Sequence, residues 1–423
     1  MGCWLASIFW LLFGTRPILA EAPILQAMED LTLIESLLSL PEVKVSSFEI
    51  KGRQILLHCS ARSLNFKCPH CGDNEEKEVS RYYSRKIRDL NISGREVWLE
   101  VRVSQYHCQC GHYFQEPLSW VESGKSYTKR QAKFIFECCA RQPFKEVAAI
   151  HNVGVQTVTR IYYTEANLVL NLAQRYKEVR YLGIDEIAHR KGRRNYCCVL
   201  VDLEKGRQLD ILPDREKETL ISHFKGLGTD FCAQIFEICT DMHGVYQEVA
   251  ALCFPNARVT IDRFHVVQLL NKPLDRMRRK LKKAYPREEA YRRIKWLLFK
   301  QPKRLKDEQK QALKQAFALA PELHQAYQLR NQFHAILDQA TSIEQAELYL
   351  GNWKRRVRKS HQEDWLPFLR TLKKWGNKIL NFVESALTNA VTESLNNLIR
   401  YMKRISFGIP NFQHMRIRIL ATQ

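Results

Sequence analysis

The sequence YLGIDEIAHRKGRRNYCCVLVD, residues 181–202, has the pattern of a β-hairpin with an acid inside its first strand. Residues 181–187 alternate around Asp185, and residues 196–201 form an unbroken apolar run that is typical of a buried strand. A carboxylate in such a strand is costly unless a cation accompanies it. Two partners remain open at this point: a neighbouring Arg that neutralises the acid, or a divalent metal ion.

The composition is that of a strongly basic globular protein. Of 423 residues, 45% are hydrophobic and 26% are charged, and 66 Lys and Arg against 45 Asp and Glu give a formal net charge of +21. The length allows two or three domains. The positive charge indicates a polyanionic partner, nucleic acid first and an anionic membrane second. Thirteen cysteines, several of them in apolar runs, fit a reducing cytosol better than a disulfide scaffold.

Residues 1–30 form an apolar extension that contains the run from Trp4 to Phe13 and the small-x-small motif Ala20-Glu-Ala22. No Lys or Arg precedes the run, which argues against a signal peptide, and the run is too short to span a bilayer. We assign no role to this extension. We predict no membrane association and a cytoplasmic location.

Two close cysteine pairs predict a zinc ribbon within residues 31–125. Cys68 and Cys71 form the first pair, Cys108 and Cys110 form the second, and a Gly follows each. Such turns let two thiolates face one metal, and tetrahedral Zn²⁺ takes four ligands. The second pair is one residue shorter than usual, so a His remains an alternative fourth ligand. The candidates are His70, His107 and His112. Two unrelated pairs of core cysteines are the simpler alternative.

Residues 126–178 have the pattern of a helix-turn-helix DNA-binding domain. Helical patterns from Tyr127 to Ala140 and from Phe144 to Ile150 precede a tight turn at Gly154, and a third helix begins at Gln156. The side chains expected to face the major groove are Gln156, Thr157, Thr159 and Arg160. An ordinary helical hairpin is the alternative that the pattern alone leaves open.

Residues 179–423 predict an RNase H-like catalytic domain with mixed α/β structure, so that the chain as a whole is a multidomain α+β protein. Three strands follow one another, and units of strand and helix come next. Residues from about 266 to 376 lack strand signals and predict an all-helical, basic insertion. The last predicted element is a helix over residues 382–404, with Leu395, Leu398, Ile399 and Met402 on its apolar face and Asn396 on the polar side.

Three acids stand out by position: Asp185 in the first strand, Asp241 at the end of the fourth, and Glu393 on the last helix. Phosphodiester chemistry typically uses two divalent cations, which prefer carboxylate oxygens. Glu186 points to the opposite face of the sheet from Asp185, so only one of them can reach the site. Taken alone, Asp241 is better explained as a helix cap and Glu393 as a surface residue, and only their joint arrangement on a strongly basic chain favours a catalytic triad.

Four segments carry a family resemblance, and they occur in the order expected for that family. They are Gly183-Ile-Asp-Glu186, Thr240-Asp-Met-His-Gly-Val-Tyr246, Thr260-Ile-Asp-Arg-Phe-His265 and Thr388-Asn-Ala-Val-Thr-Glu-Ser-Leu-Asn-Asn397. With the two cysteine pairs and the closing Ser406-Phe-Gly-Ile-Pro-Asn-Phe412, the chain resembles bacterial insertion-sequence transposases of the ISL-three family. The resemblance runs from about Leu31 to the C-terminus. The N-terminal extension and the short second cysteine pair depart from the family pattern.

The resemblance implies a DDE transposase in which Asp185, Asp241 and Glu393 hold Mg²⁺ or Mn²⁺, with Asp262 and His265 in supporting roles. It implies binding to the terminal inverted repeats of an element, metal-dependent strand cleavage and strand transfer into target DNA. Because two ends must be brought together, it also implies at least a homodimer, acting on double-stranded DNA in the bacterial nucleoid. The basic turn between the first two strands predicts contacts with the phosphate backbone, and its residues are Arg190, Lys191 and Arg193.

Two other functions remain open from the sequence. One is an inactive or domesticated relative that acts as a DNA-binding regulator, although all three acids are present. The other is an RNase H-like nuclease that cuts DNA without joining it.

Overall fold

The computed structural model describes residues 28–40, 42–61, 67–73, 78–188, 196–291 and 294–422. The chain divides into two units. The first holds the described residues up to Ile135 together with Ala148–Gly154, and the second holds Phe136–Val147 and the described residues from Val155 onward. Most of the N-terminal extension and the basic turn at residues 189–195 lie outside the described residues.

The first unit is built on an antiparallel and parallel sheet that follows helix α1 (Met28–Leu38). Within the described residues its strands are β1 (Val43–Lys51), β2 (Gln54–Ala61), β3 (Glu78–Ile92), β4 (Arg95–His107) and β5 (Tyr113–Gln115). The order is β1-β2-β4-β3, β5 pairs with β4, and only β2 and β4 run parallel. Val97, Leu99, Val101 and Val103 alternate along β4 and are all fully buried, because every second residue of a strand faces the same side.

Three helices follow, as the helix-turn-helix pattern predicts: α2 (Lys129–Cys139), α3 (Phe144–His151) and α4 (Val155–Val169). The Thr128 hydroxyl accepts the backbone N–H of Gln131 at 3.2 Å, so Thr128 caps α2. In the second unit the Tyr162 ring of α4 packs against the rings of Phe136 and Phe144, at 5.2 and 5.1 Å. The short helix α5 (Leu172–Tyr176) comes next.

The second unit contains the sheet that begins with the hairpin quoted above. Within the described residues its strands are β6 (Tyr181–Ala188), β7 (Tyr196–Asp202), β8 (Arg207–Leu212), β9 (Glu237–Thr240) and β10 (Arg258–Ile261). The order is β10-β9-β6-β7-β8. Strands β6, β7 and β8 are antiparallel neighbours, whereas β9 and β10 run parallel to β6. This arrangement confirms the predicted RNase H-like fold.

Helices complete the domain. Helices α6 (Lys217–Gly226), α7 (Thr229–Gln234) and α8 (Gly244–Cys253) lie between the strands in sequence. The helical insertion comprises α9 (Arg263–Ala284), α10 (Lys295–Phe299), α11 (Asp307–Leu319), α12 (Pro321–Gln339), α13 (Ile343–Lys359), α14 (Leu366–Leu380) and α15 (Phe382–Ser385). The chain then returns to the sheet with α16 (Ala390–Ile405) and α17 (Phe412–Leu420). The insertion has its own core, in which Trp353, Trp365 and Phe368 meet edge to face.

The last predicted helix is wrong in one respect, because residues 382–404 are not continuous. Ala386 adopts a positive φ of 51° and donates its N–H to the Phe382 carbonyl at 2.8 Å, which ends α15. The chain then leaves the helical path until Ala390, where α16 begins. This break lies directly before the helix that carries Glu393.

The two faces of the sheet have different partners. Ile184, Cys198 and Leu200 belong to a core shared with α6 and α8, whereas Ile187, Cys197 and Val199 belong to a core shared with α16 and α17. Adjacent residues of β6 therefore point to opposite layers, and Asp185 lies on the α16 side. Among the described residues, no helix is long and apolar enough to cross a membrane.

Candidate active site and zinc centre

The two predicted zinc turns converge in the first unit. Cys68 accepts the N–H of Gly72 at 2.9 Å and Cys108 accepts that of Gly111 at 2.8 Å. Both glycines have positive φ, 76° and 85°, which is the left-handed conformation that a residue with a side chain adopts at a cost. The shorter second pair therefore forms a turn of the same kind as the first.

The four sulfurs have the geometry of a tetrahedral zinc site. Cys68 Sγ lies 3.8 Å from Cys110 Sγ and Cys71 Sγ lies 3.6 Å from Cys108 Sγ, and all four lie within 4.8 Å of one another. Zn–S bonds of about 2.3 Å imply edges of about 3.8 Å in a tetrahedron. The rings of His70 and His112 stack on each other at 5.3 Å and do not belong to this group. The four thiolates thus fit Zn²⁺ without a histidine.

Three aspartates lie in register across three adjacent parallel strands of the second unit, at the level where β9 and β10 end and β6 continues. Ile184 of β6 pairs with Thr240 of β9, and Thr240 pairs with Ile261 of β10. The next residue of each strand is an aspartate: Asp185, Asp241 and Asp262. We call these three the acid row. The backbone N–H of Asp262 donates to the Thr240 carbonyl at 2.8 Å, so the hydrogen bonding between β9 and β10 extends to the acid row.

Helix α16 lies over the Asp185 end of the acid row. Asn396 Nδ2 donates to Asp185 Oδ2 at 2.9 Å, and Asp185 Oδ1 accepts the N–H of Glu186 at 2.8 Å. Asn396 is only 4% exposed, and its Oδ1 has no partner among the described residues. The prediction that Asn396 lies on the polar side of this helix is therefore wrong. Its amide is buried because it binds a carboxylate of the sheet.

Glu393 lies in the first turn of α16, one turn before Asn396, and is exposed. Its backbone N–H donates to the Asn389 carbonyl at 3.2 Å, the first hydrogen bond of the helix. The four thiolates of the zinc centre lie within 4.8 Å of one another, but among the described residues no group of three carboxylates does so. A site for two cations about 3.5–4 Å apart is wider than a site for one, so its ligands need not converge on a single point.

Burial and mutual repulsion act on the acid row together. Burial raises the pKa of Asp185, Asp241 and Asp262 above the ordinary value of 3.8. The neighbouring negative charges of Asp241 and Asp262 raise the pKa of Asp185 further. His265 opposes this effect for all three acids, and its Nε2 lies 4.0 Å from Asp262 Oδ2. Among the described residues, His265 thus opposes the rise in the pKa of all three acids, but burial still raises each of them.

Two buried acids of the same sheet have an arginine partner, whereas the half-buried Asp185 and Asp241 have none among the described residues. Asp210 pairs with Arg416 at 2.5 Å, and Asp202 pairs with Arg207 at 3.3 Å. Within the described residues, no Lys or Arg nitrogen lies within 4.0 Å of the carboxylate of Asp185 or Asp241. Arg215 forms an ion pair with Glu186, the neighbouring acid, on the other face of the sheet. The opening alternative, an Arg that neutralises Asp185, is thus excluded for the described part of the chain.

Helix α4 presents some of its predicted DNA-reading side chains and turns others inward. Gln156 and Arg160 are exposed near its start, and Thr157 and Thr159 are half-buried. The Thr159 hydroxyl donates to the Val155 carbonyl at 2.8 Å, one turn earlier in the helix. The predicted phosphate contacts of the basic turn lie outside the described residues, and the structure describes none of Arg190, Lys191 and Arg193.

Three family models match consecutive parts of the chain. A model described as a zinc finger of the transposases IS204, IS1001, IS1096 and IS1165 matches residues 65–111. A model described as the helix-turn-helix domain of transposase family ISL3 matches residues 116–165. The DDE domain of ISL3, described as a transposase, matches residues 182–419, which is more than half of the chain.

Curated relatives match over most of their length. The transposase for insertion sequence element IS1001 of Bordetella parapertussis is 25% identical over 380 residues, covering 88% of this chain and 92% of that protein. The transposase for IS1557 of Mycobacterium tuberculosis is 24% identical over 388 residues, covering 84% of this chain and 86% of that protein.

Proposed function

Because the chain belongs to the ISL3 family of DDE transposases, we propose that Asp185, Asp241 and Glu393 together hold the divalent cations with which it cuts and joins DNA. The observation that carries this proposal is the acid row, in which Asp185 and Asp241 are half-buried, Asp262 is buried, and no Lys or Arg nitrogen of the described residues lies within 4.0 Å of their carboxylates. Buried charges without partners are destabilising, and a bound cation removes that cost. Carboxylates in register on neighbouring strands are hard oxygen donors, which fit Mg²⁺ or Mn²⁺.

Each residue of the site then has a distinct task. Bound Mg²⁺ or Mn²⁺ would lower the pKa of the attacking hydroxyl and stabilise the leaving oxygen. Asp185 and Asp241 supply fixed oxygens from the sheet, and Glu393 supplies an oxygen from α16. Asn396 orients Asp185 through its 2.9 Å hydrogen bond. Asp262 accepts the N–H of Asn389 at 3.1 Å and so supports the start of α16 rather than a cation.

The reaction follows as two in-line displacements at phosphorus. Water attacks the phosphodiester at the element end, the P–O bond to the 3′ oxygen breaks, and a free 3′-hydroxyl results. That 3′-hydroxyl then attacks a phosphodiester of the target: the new P–O bond forms, the target's P–O bond to its own 3′ oxygen breaks, and that oxygen leaves as a free 3′-hydroxyl. No covalent protein intermediate is required in either step.

We assign the DNA recognition to the modules that precede the catalytic domain. The zinc ribbon, residues 31–125, and the helix-turn-helix domain, residues 126–178, bind the terminal inverted repeats. The basic turn that contains Arg190, Lys191 and Arg193 contacts the phosphate backbone near the cut, since positive side chains contribute most of the affinity for DNA. The catalytic domain extends over residues 179–423 with its insertion at about 266–376. Two copies at least pair the element ends, in the bacterial cytoplasm on the nucleoid.

The experiment that tests this function uses the purified chain and the DNA that flanks its reading frame. Imperfect inverted repeats with their flanking DNA, labelled at the 5′ end of the transferred strand, are incubated with a plasmid target and Mg²⁺. We expect labelled ends joined to the plasmid. Hydrolysed ends without joined products would instead support a nuclease, and specific binding without cleavage would support a DNA-binding regulator.

Two substitutions at Asp262 distinguish between a residue that holds the start of α16 and a residue that binds a cation. Asp262→Asn keeps an oxygen that can accept the Asn389 N–H, so cleavage is expected to fall by less than about tenfold. Asp262→Ala leaves that N–H buried and unpaired, which costs about 1–3 kcal/mol of stability and a larger loss of cleavage. Cleavage rates and thermal unfolding of both variants are the measurement. If Asp262→Asn is as inactive as a variant of Asp185, Asp262 is a metal ligand.

Substitutions on α4 test the DNA-reading surface. Gln156→Ala and Arg160→Ala are each expected to weaken specific binding to the terminal repeat by about 1–3 kcal/mol, roughly ten- to a hundredfold. Asn167→Ala, exposed near the other end of α4, is the matched control and leaves the affinity unchanged. The measurement is a titration of labelled repeat and of scrambled DNA at one fixed salt concentration. Equal affinities for Gln156→Ala, Arg160→Ala and the control would remove α4 from the recognition surface.

A further inference from the structure

The segment that begins after α14, includes the short helix α15 and ends where α16 begins contacts three strands of the catalytic sheet. We call residues 381–389 the crossing segment. Asn381 Nδ2 donates to the Val259 carbonyl of β10 at 2.8 Å, and Cys239 Sγ of β9 lies 3.9 Å from the Leu387 carbonyl. At its end, Asn389 reaches both β9 and β6. The crossing segment thus brings α16 from the insertion to the Asp185 end of the acid row.

Asn389 makes three hydrogen bonds at the point where these strands approach the acid row. Its Nδ2 lies 3.4 Å from the Ile184 carbonyl and 3.4 Å from the Cys239 carbonyl, so the two amide hydrogens reach two strands. Its backbone N–H donates to Asp262 Oδ1 at 3.1 Å. Ile184 directly precedes Asp185 in the chain, and Cys239 is two residues before Asp241. One side chain therefore contacts the backbone beside both of these aspartates.

The same residue also fixes the backbone of Glu393. The Asn389 carbonyl accepts the Glu393 N–H at 3.2 Å, so Glu393 follows any movement of Asn389. Asn389 is 4% exposed, and its Oδ1 is buried without a partner among the described residues. An unsatisfied buried acceptor costs free energy, which the hydrogen bonds of the amide nitrogen offset only in part. Hydrophobic packing alone does not require an Asn at this place.

Gly183 provides the room for this amide. A Cβ atom at residue 183 would lie 2.9 Å from Asn389 Oδ1 and 2.8 Å from Leu203 Cδ2, closer than carbon atoms approach without a shift. The Leu203 side chain is flexible at its end, whereas Asn389 is held by two strands and a carboxylate. The missing side chain of Gly183 and the buried amide of Asn389 are thus complementary.

We propose that Asn389 is a positioning residue, whose amide, packed over Gly183, sets the distance from Glu393 to Asp185 in β6 and to Asp241 after β9. The inference rests on the proposed function, because it takes these three acids as the cation ligands. Asn389 touches neither DNA nor the cations. It acts through Glu393, whose carboxylate is exposed and has no side-chain partner of its own among the described residues.

The test compares two asparagines of the crossing segment in the full-length, zinc-loaded protein. Asn389→Ala and Asn381→Ala each remove hydrogen bonds from a side chain to a strand carbonyl, but only Asn389 adjoins the acid row. Mn²⁺ affinity is measured by titration calorimetry in the absence of DNA, next to terminal-repeat affinity, cleavage rate at saturating DNA and thermal unfolding. Asn389→Ala is expected to lose about ten- to a hundredfold in Mn²⁺ affinity, the usual effect of losing a residue that orients a metal ligand. Its DNA affinity stays unchanged.

Asn381→Ala is expected to lower the thermal midpoint by a similar amount while Mn²⁺ affinity stays within about twofold. Gly183→Ala should lower Mn²⁺ affinity as Asn389→Ala does. Because both changes disturb one contact, the double variant should bind Mn²⁺ about as well as the single variant with the lower affinity. The proposal is overturned if Asn389→Ala keeps wild-type Mn²⁺ affinity and cleavage, or if Asn381→Ala loses both equally. Asp185→Asn is included: if it keeps Mn²⁺ affinity, the proposed function fails rather than the role of Asn389.

Discussion

Asp185→Asn is expected to abolish strand cleavage and strand transfer, by about a thousandfold or more, while terminal-repeat binding persists. Loss of a carboxylate ligand removes several kcal/mol of transition-state stabilisation, and each 1.4 kcal/mol is tenfold in rate. The matched control is Glu186→Gln, the adjacent acid, whose carboxylate pairs with Arg215 on the opposite face of the sheet. The measurement is the yield of cleaved and joined strands in Mg²⁺. Activity in Asp185→Asn would contradict the assignment.

Asp185→Asn is also expected to change the stability of the protein. When no cation is bound at the acid row, this substitution should stabilise the fold although it abolishes activity. Because burial raises the pKa of Asp185 above 3.8 in the folded chain, the folded state binds protons more tightly than the unfolded state. Stability therefore falls as pH rises from about 4 through the raised pKa, and the charged form remains destabilising at pH 8. Asp185→Asn should unfold at a higher temperature than the wild type at pH 8 in the zinc-loaded protein without added Mg²⁺ or Mn²⁺. Added Mn²⁺ should stabilise the wild type and not the variant.

Cys68→Ser with Cys71→Ser is expected to release the zinc and unfold the ribbon. Structural zinc contributes about 10–16 kcal/mol of binding free energy in small zinc domains, which is comparable to the whole stability of a domain. Metal analysis of the purified wild type should find about one zinc per chain, and the double variant should contain none. Terminal-repeat binding should fall with the loss of the ribbon.

Cys59→Ala is the control for this zinc experiment. Cys59 is buried in β2, and its thiol donates to the Leu57 carbonyl at 3.5 Å, outside the group of four sulfurs. This variant should keep its zinc even if it is less stable. A double variant of Cys68 and Cys71 that retains zinc would mean that other ligands hold the metal.

Local sequence patterns were sufficient to predict strands β6 and β7 and the two cysteine turns. The alternation around Asp185 and the apolar run after it predict β6 and β7, because side chains of a strand alternate between faces. The cysteine pairs predict the turns because a Gly in the left-handed conformation follows each. In these cases the sequence signal and the structural cause lie within a few residues of each other.

The acid row was only partly predictable. The sequence placed Asp185 inside the first strand, Asp241 at the end of the fourth and Glu393 on the last helix, but the register between β6, β9 and β10 depends on parallel pairing across long connections. Periodicity carries no information on such pairing. Asp262 therefore remained a supporting residue by resemblance alone, whereas in the structure it lies beside Asp241 and bonds to the start of α16.

The crossing segment could not be predicted from its sequence. Asn389 and Asn396 are polar residues on an amphipathic pattern, for which a solvent-facing position is the ordinary expectation. Both are buried because their amides bind the catalytic sheet, Asn389 at strand carbonyls and Asn396 at Asp185. The break at Ala386 likewise follows from this docking, since a continuous helix would carry the chain past the strands.

The most direct test of the central claim exchanges the chemistry of the metal ligands. Asp185, Asp241 and Glu393 are each replaced by Cys, and cleavage is measured in Mg²⁺ and in the softer Mn²⁺ or Cd²⁺. A thiolate is a poor ligand for Mg²⁺ and a better one for softer ions. We predict that all three variants are inactive in Mg²⁺ and regain cleavage in a softer ion, whereas Glu186→Cys shows no such preference. Recovery at Asp262→Cys together with none at Glu393→Cys would contradict the account.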